Sequence, residues 1–88
     1  MTEHELKTWP TPFAAVCEGR KRFEFRFNDR NYQVGDLLML REWNPADGTY
    51  TGEEVLVEVL YILRDSECLS PQPGYCVMSI EIVSVSRS

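Results

Sequence analysis

The chain has 88 residues and a formal net charge of −5 at pH 7; 43% of its residues are hydrophobic and 26% are charged. This length supports one domain with a single core, which we expect to span residues 1–88 with its core at about 4–85, and the composition excludes intrinsic disorder. Because no apolar run approaches the ~18 residues of a membrane span and the N-terminal stretch is polar, we expect a cytoplasmic protein with no signal peptide and no membrane partner.

The cysteine and histidine content argues against a disulfide scaffold and against a metal site. Three cysteines (Cys17, Cys68 and Cys76) cannot all pair within one chain, and their spacings fit no zinc pattern. His4 is the single histidine, and we interpret it as a structural or surface residue, since no serine or cysteine nucleophile motif accompanies it. The sequence therefore predicts reduced thiols, no metal and no cofactor.

Positive charge is concentrated in residues 19–30, with the sequence GRKRFEFRFNDR. This segment has five basic residues against Glu24 and Asp29, a local net charge of +3, so the remaining residues together carry −8. An acidic body with one basic patch disfavours tracking of long phosphate backbones and tolerates a local anionic ligand. The alternative is a solvated, charged strand edge with no ligand.

The first elements in chain order are a short strand and a short helix. Residues 4–7 form the predicted strand. Thr11 can cap the helix, Pro12 suits its first position, and Gly19 can end it in a left-handed conformation. Its apolar stripe comprises Phe13, Val16 and Cys17. Because two turns of helix are unstable alone, we expect this helix to dock on a sheet.

The segment 22–28 alternates strictly, as is typical of a strand. Its phenylalanines are predicted to point into the core, and its polar residues to occupy the opposite face. The phenylalanines are Phe23, Phe25 and Phe27, and the polar residues are Arg22, Glu24, Arg26 and Asn28. Asp29 and Arg30 follow in a turn, which they are expected to stabilise.

Later segments predict further strands joined by short loops. A strand is expected at 37–40, a loop at 44–48, and a long strand to residue 63 that is apolar on both faces except at Glu58. Glu58 is predicted either at an exposed edge or paired inside a barrel mouth. A loop at 64–74 and a strand at 75–85 complete the chain. We predict a mostly β (α+β) fold: a small β-barrel with one N-terminal helix between the first two strands, the long strand being covered on both sides.

The basic segment also carries a family signature. Gly19, Lys21, Glu24 and Arg26 stand in the G-x-K-x-x-E-x-R pattern, and by it the chain resembles the ASCH superfamily of PUA-like β-barrels. It is most similar to a small ASCH-related family of unknown function found in bacteria and phages. That likeness covers H-x-L-K at 4–7, N-D-R at 28–30, V-G-D at 34–36, R-E at 41–42 and G-Y-x-V-x-S-I at 74–80.

The resemblance implies a function as well as a fold. Superfamily members are thought to bind RNA or nucleoside-like ligands in a cleft between the barrel and the helix. Some ASCH proteins hydrolyse an acyl group from a modified pyrimidine nucleoside. Carried over to this chain, the resemblance implies a basic cleft at the helix–barrel junction with the ligand-binding residues Lys7, Lys21, Glu24, Arg26 and Asn28.

Each candidate residue has a structural alternative. Lys21 can contact a phosphate or polarised carbonyl, or act as a base, but it can also be an exposed charge at the helix end. Glu24 and Arg26 can read a base edge or phosphate, or form an ion pair that shapes the cleft. Trp9 and Trp43 can stack on a base or belong to the core or rim.

Three functions remain open on the sequence. The first is a binding module for RNA or a nucleotide-like ligand. The second is a small amidohydrolase acting on an acylated pyrimidine nucleoside, with Lys21 and Glu24 as catalytic residues. The third is a phage or bacterial protein-interaction domain that uses its acidic surface. We favour the first, because a short or single-nucleotide ligand reconciles the basic segment with the acidic body.

Overall fold

The computed structural model describes residues 2–64 and 73–87. Over these residues the elements are β1 (Glu3–Thr8), α1 (Pro10–Cys17), β2 (Phe23–Phe27), β3 (Leu37–Asn44), β4 (Thr49–Arg64) and β5 (Tyr75–Ser86). The predicted fold class, mostly β with one helix between the first two strands, is confirmed. The described part of the chain contains no helix long and apolar enough to cross a membrane. Cys68 and most of the predicted 64–74 loop lie outside the described residues.

The strands form one curled sheet in the order β1-β3-β4-β5-β2. β1 pairs with β3 in parallel, and every other described pairing is antiparallel. Register shifts in the β3/β4 and β4/β5 pairs mark bulges, which bend strands and increase their twist. β1 and β2 form the two edges, so the sheet is a half-barrel that opens between them.

One concave face of this sheet holds the core, and α1 supplies part of it. On β4 the side chains of Val55, Val57 and Val59 are buried, while Leu60 and Tyr61 are exposed. The expectation that the long strand is covered on both sides is therefore wrong, because α1 packs on one face of the sheet only. Glu58 lies half-buried on β4, an interior strand, so the exposed-edge alternative for it is also wrong.

The helix begins two residues before the predicted first position at Pro12. Pro10 is its first residue and Trp9 its N-cap, which makes no side-chain capping hydrogen bond, so the prediction of Thr11 as the cap is wrong. Pro10 has the fixed φ that suits a first helical position, and the first-turn bond runs from the Phe13 amide to the Trp9 carbonyl (2.9 Å). Gly19 adopts the predicted left-handed conformation (φ 78°) after the helix ends.

The two faces of β2 are inverted relative to the prediction. Phe23, Phe25 and Phe27 are 47%, 40% and 53% exposed, whereas Glu24 is buried. Pairing with β5 explains the inversion, because Glu24 lies opposite Met78, a buried core residue, and paired residues share a face. The prediction that the phenylalanines enter the core is wrong: alternation separates two faces but does not say which one the sheet buries.

A buried polar pair joins the start of β1 to the turn before β3. The Nε2 atom of His4 lies 2.9 Å from Oδ2 of Asp36, and the His4 ring contacts Tyr32 edge-on at 5.0 Å between centroids. Asp36 also accepts bonds from the backbone N–H groups of Gln33 (3.0 Å) and Thr2 (3.2 Å). His4 is therefore a buried structural residue, which is one of the two alternatives, structural or surface, that the sequence predicts.

Gly74 supports the edge strand through a close approach to Phe27. Its φ is 82°, and a Cβ at this position would lie 2.7 Å from a ring carbon of Phe27. We expect Gly74→Ala to lower the free energy of unfolding by about 2 kcal/mol, from left-handed strain and displacement of the ring. Gly48→Ala is the matched control, since its φ is 70° but its Cβ would meet nothing within 4 Å; it should cost about 1 kcal/mol. Urea denaturation measures both, and equal losses would contradict a role for the Phe27 contact.

Candidate functional site

A buried carboxylate lies where β2 faces the open side of the half-barrel. The Glu24 side chain is only 3% exposed. Its Oε1 accepts a hydrogen bond from Nε of Arg26 at 3.0 Å, and its Oε2 accepts one from Nζ of Lys21. Lys21 also donates to the Phe23 carbonyl at 2.7 Å. The carboxylate is thus held between two cations, which compensates the cost of burying its charge.

Arg26 links the two edges of the sheet. Its Nη2 donates to the Lys7 carbonyl at 3.0 Å and lies 3.3 Å from Oγ1 of Thr8, both at the end of β1. The same guanidinium binds Glu24 on β2 through Nε, so one side chain bridges the gap that no described backbone pairing closes. This bridge sets the width of the opening between β1 and β2.

The opening forms a cleft of about 260 Å³. Three segments meet there: the end of β1, the start of α1, and the stretch from the helix end into β2. Its lining residues are Lys7, Thr8, Trp9, Pro12, Lys21, Glu24, Phe25 and Arg26. Trp9 is 58% exposed, so its indole and the Phe25 ring offer apolar surface beside the polar floor.

The charge balance of the cleft is positive. Lys21 and Arg26 share the single carboxylate of Glu24, which leaves an excess of one positive charge. Lys7 adds a second, since its exposed Nζ lies 3.9 Å from the centroid of the Trp43 ring, a cation–π contact that holds the ammonium beside the opening. The cleft therefore presents cations and aromatic rings together, the surface chemistry that suits an anion with a flat apolar part.

The structure brings four of the five predicted ligand-binding residues into the cleft: Lys7, Lys21, Glu24 and Arg26. Asn28 lies outside its lining, and its Oδ1 instead accepts a bond from the Tyr32 amide at 3.1 Å. Of the two tryptophans, Trp9 lines the cleft, and Trp43 contacts Lys7 and the Tyr50 ring.

Sequence reasoning missed three residues of the lining, namely Thr8, Pro12 and Phe25. The sequence predicts Phe25 in the core, and its exposure follows from the inverted faces of β2. Thr8 carried a weak signal, as the last residue of a strand that precedes a helix start. Nothing in the local sequence marked Pro12 as a lining residue rather than a helix residue.

A larger cavity of about 570 Å³ lies beyond the C-terminal end of α1. Lys21 and Arg22 line it together with apolar residues of β4 and β5, including Leu60 and Ile82. It contains neither Glu24 nor Arg26, so the buried charge cluster opens into the smaller cleft.

Other titratable groups lie away from the cleft. Burial raises the pKa of the Cys17 thiol, and the nearby Arg87 offsets only part of this effect. A thiol with a raised pKa stays protonated at neutral pH and is a poor nucleophile, in agreement with its assignment to the apolar stripe of the helix. Asp29 and Arg30 lie in the turn after β2, with Nε and Oδ1 3.9 Å apart and both side chains exposed. The described residues hold no group of three or more side chains suited to a metal ion.

Comparison with known proteins gives a family match that covers all the residues of this cleft. Residues 3–80, which include every lining residue of the cleft, match the family model described as a domain of unknown function, DUF3850. The chain belongs to this family. It is also 50% identical over 66 residues to the "Uncharacterized 12.9 kDa protein in GpA 3'region" of Escherichia phage P2. That match covers 75% of this chain and 59% of the phage protein. A family of unknown function with a phage relative is thus confirmed, and the ASCH resemblance stays a prediction.

Proposed function

We propose that this domain binds a short RNA or a nucleotide-like ligand in the cleft between β1, α1 and β2. The observation that carries the proposal is the Glu24 carboxylate, buried between Lys21 and Arg26 at the floor of a cleft flanked by exposed Trp9 and Phe25. The resemblance to the ASCH superfamily, whose members are thought to bind RNA or nucleoside-like ligands at this junction, supports it independently.

The phosphate and the base of a nucleotide both have chemical partners in the cleft. Lys7 and Arg26 supply positive charge for a phosphate, and Arg26 has N–H donors besides those that bond to Glu24 and β1. The Glu24 carboxylate accepts one bond at each oxygen and retains lone pairs for an exocyclic amine. Trp9 offers a ring for base stacking, which tolerates any base.

The overall charge limits the size of the ligand. With a net charge of −5, the protein repels a long polyanion outside its basic segment. Affinity for RNA should therefore depend on a few local phosphate contacts and weaken with added salt. We propose a ligand that engages the cleft through one or a few nucleotides.

Hydrolysis of an acylated pyrimidine nucleoside is the alternative that the resemblance also implies, with Lys21 and Glu24 as catalytic residues. A lysine that acts as a base must first give up a proton. Here Nζ of Lys21 donates to the Glu24 carboxylate and to the Phe23 carbonyl, and removing its charge would leave a buried carboxylate with one cation fewer. These contacts favour binding over catalysis.

Calorimetry with mononucleotides and short RNAs tests the proposal on variants that do not disturb Glu24. We expect Trp9→Ala to weaken binding about tenfold through lost stacking. Lys7→Gln should weaken it several-fold and reduce the salt dependence by about one phosphate contact. Arg87→Gln is the matched control for charge removal, since Arg87 pairs with Glu53 outside the cleft, and it should bind as the unmodified protein does.

Two results would decide against this function. Equal effects of Lys7→Gln and Arg87→Gln would mean that only overall charge matters and that the cleft is not the site. No binding of any nucleotide or RNA by a folded protein would favour the protein-interaction alternative. Turnover of an acylated pyrimidine nucleoside, abolished by Lys21→Ala, would establish the hydrolase.

A further inference from the structure

The outer face of the sheet carries several aromatic side chains next to the cleft. We define the outer aromatic face as Phe23, Phe25, Phe27, Tyr61 and Tyr75. The three phenylalanines occupy alternate positions on β2 and are exposed, and Tyr61 on β4 is exposed as well. Soluble domains rarely expose so many large rings on one patch without a binding role.

Strand register places these rings on one face across three strands. Phe23 lies opposite Ser79 on β5, and Ser79 lies opposite Tyr61 on β4. Phe27 lies opposite Tyr75 on β5. Because directly paired residues point to the same side of a sheet, the five rings share the convex side, away from the buried core.

Contacts within the face hold several of the rings in place. Phe25 stacks on Tyr75 with 5.0 Å between centroids and a 25° interplanar angle, and Phe27 meets the same tyrosine edge-on at 5.4 Å. Gly74 lies directly under the Phe27 ring. Rings held in this way lose little conformational entropy when a ligand binds.

Cations flank the row of phenylalanines on β2. Nζ of Lys21 is 4.8 Å from the centroid of the Phe23 ring. Arg22 precedes the strand and is exposed, and its Nε atom donates to the Gly19 carbonyl. Arg30 follows the strand in an exposed turn. Aromatic rings with basic residues at both ends suit a ligand that alternates flat bases with phosphates.

We infer that the outer aromatic face binds single-stranded nucleic acid, with successive bases stacked on its rings and phosphates held by the flanking arginines. Side chains two residues apart on a strand lie about 6.7 Å apart, roughly twice the 3.4 Å separation of stacked bases, which matches an extended strand with unstacked bases. Phe25 lines the cleft and also belongs to this face, so one strand can pass from the cleft onto the face. The inference rests on the proposed function and extends its ligand from one nucleotide to several.

A length series of labelled single-stranded RNA, from a mononucleotide to a heptamer, tests this inference by fluorescence anisotropy. Affinity should rise with length until the rings are occupied, and duplex RNA of the same sequence should not compete. The double variant Phe23→Leu/Phe27→Leu keeps apolar surface but removes two π faces. It should weaken binding of the longer RNAs about tenfold or more and leave the mononucleotide unaffected.

Two further variants complete the experiment. Val34→Ala is the control for an exposed apolar side chain outside the face, and it should bind every RNA normally. Tyr61→Ala tests the same face from β4 should the double variant lose the Tyr75 contacts and unfold. The thermal midpoint of each variant is measured first, so that loss of binding is distinguished from loss of structure.

The outcomes separate this inference from the function on which it rests. Length-independent affinity that the leucine variants do not change would overturn the inference while leaving nucleotide binding in the cleft intact. Length-dependent, phenylalanine-dependent binding that Trp9→Ala does not alter would support the outer aromatic face and contradict the cleft. Absence of RNA binding at every length would overturn both.

Discussion

Replacing Glu24 with alanine is expected to lower the free energy of unfolding by about 3–4 kcal/mol, the largest effect of any single charged residue in the described part of the chain. The change removes a buried carboxylate and leaves Lys21 and Arg26 facing each other without compensation. It also removes the contact that orients Arg26 toward β1, so the bridge between the two sheet edges is weakened. Chemical denaturation measures the loss.

Two control variants make this prediction specific. Glu24→Gln keeps the side-chain volume and one acceptor but removes the charge. It should therefore lose about half as much unfolding free energy as Glu24→Ala loses. Glu54→Ala removes a partly exposed carboxylate that is paired with Arg41 at 3.1 Å; exposed pairs contribute little, so it should cost less than about 1 kcal/mol. Comparable losses for Glu24→Ala and Glu54→Ala would mean that burial of the cluster does not contribute to stability.

Asp36→Ala is expected to have the second largest effect, about 3 kcal/mol of unfolding free energy. Asp36 accepts three hydrogen bonds, from His4 and from the backbone amides of Gln33 and Thr2. Loss of the carboxylate leaves the buried His4 donor and the two partly buried amide donors without this acceptor, and each of these costs about 1 kcal/mol. The start of β1 should also loosen, which hydrogen exchange of the β1 amides would detect. Normal protection of β1 in a stable variant would contradict this role.

The same residue should make stability depend on pH at the acid end. Burial alone would raise the pKa of Asp36, but the hydrogen bonds from His4, Gln33 and Thr2 outweigh burial and hold the pKa below its ordinary value of 3.8. A carboxyl whose pKa is lowered by folding contributes stability above its unfolded-state pKa, and the contribution is lost as pH falls through the folded-state value. Asp36→Asn should therefore flatten the decline in stability below about pH 4. An unchanged acid profile would assign that decline to other carboxylates.

Local signals predicted the elements well where each signal was unambiguous. Alternation predicted β2, the left-handed glycine at Gly19 ended the helix, and runs of Val and Ile marked β4 and β5. The helix start was predicted late, because both Pro10 and Pro12 suit a first helical position and only the Trp9–Phe13 hydrogen bond distinguishes them.

The candidate site was predicted largely from the ordered motif in the basic segment. Glu24 and Arg26 alternate onto one face of β2. The structure brings the two other predicted residues to the same cleft, Lys21 from the turn before the strand and Lys7 from the far edge of the sheet. Asn28 has the parity of Glu24 and Arg26, but it begins a turn where its side chain bonds to the Tyr32 amide. Side chains alternate between two faces only within a strand, so the alternation does not predict where the side chain of a residue in the following turn points.

By itself the sequence determined the strand-helix-strand order, the two alternating faces of β2 and the clustering of charge near it, since these depend on composition and on neighbours along the chain. Only the tertiary structure decided which face of β2 is buried. That choice depends on pairing with β5, which aligns Glu24 with the buried Met78, and on the compensation of Glu24 by Lys21 and Arg26. Hydrophobicity alone favoured burial of the phenylalanines; strand register and a satisfied ion cluster outweighed it.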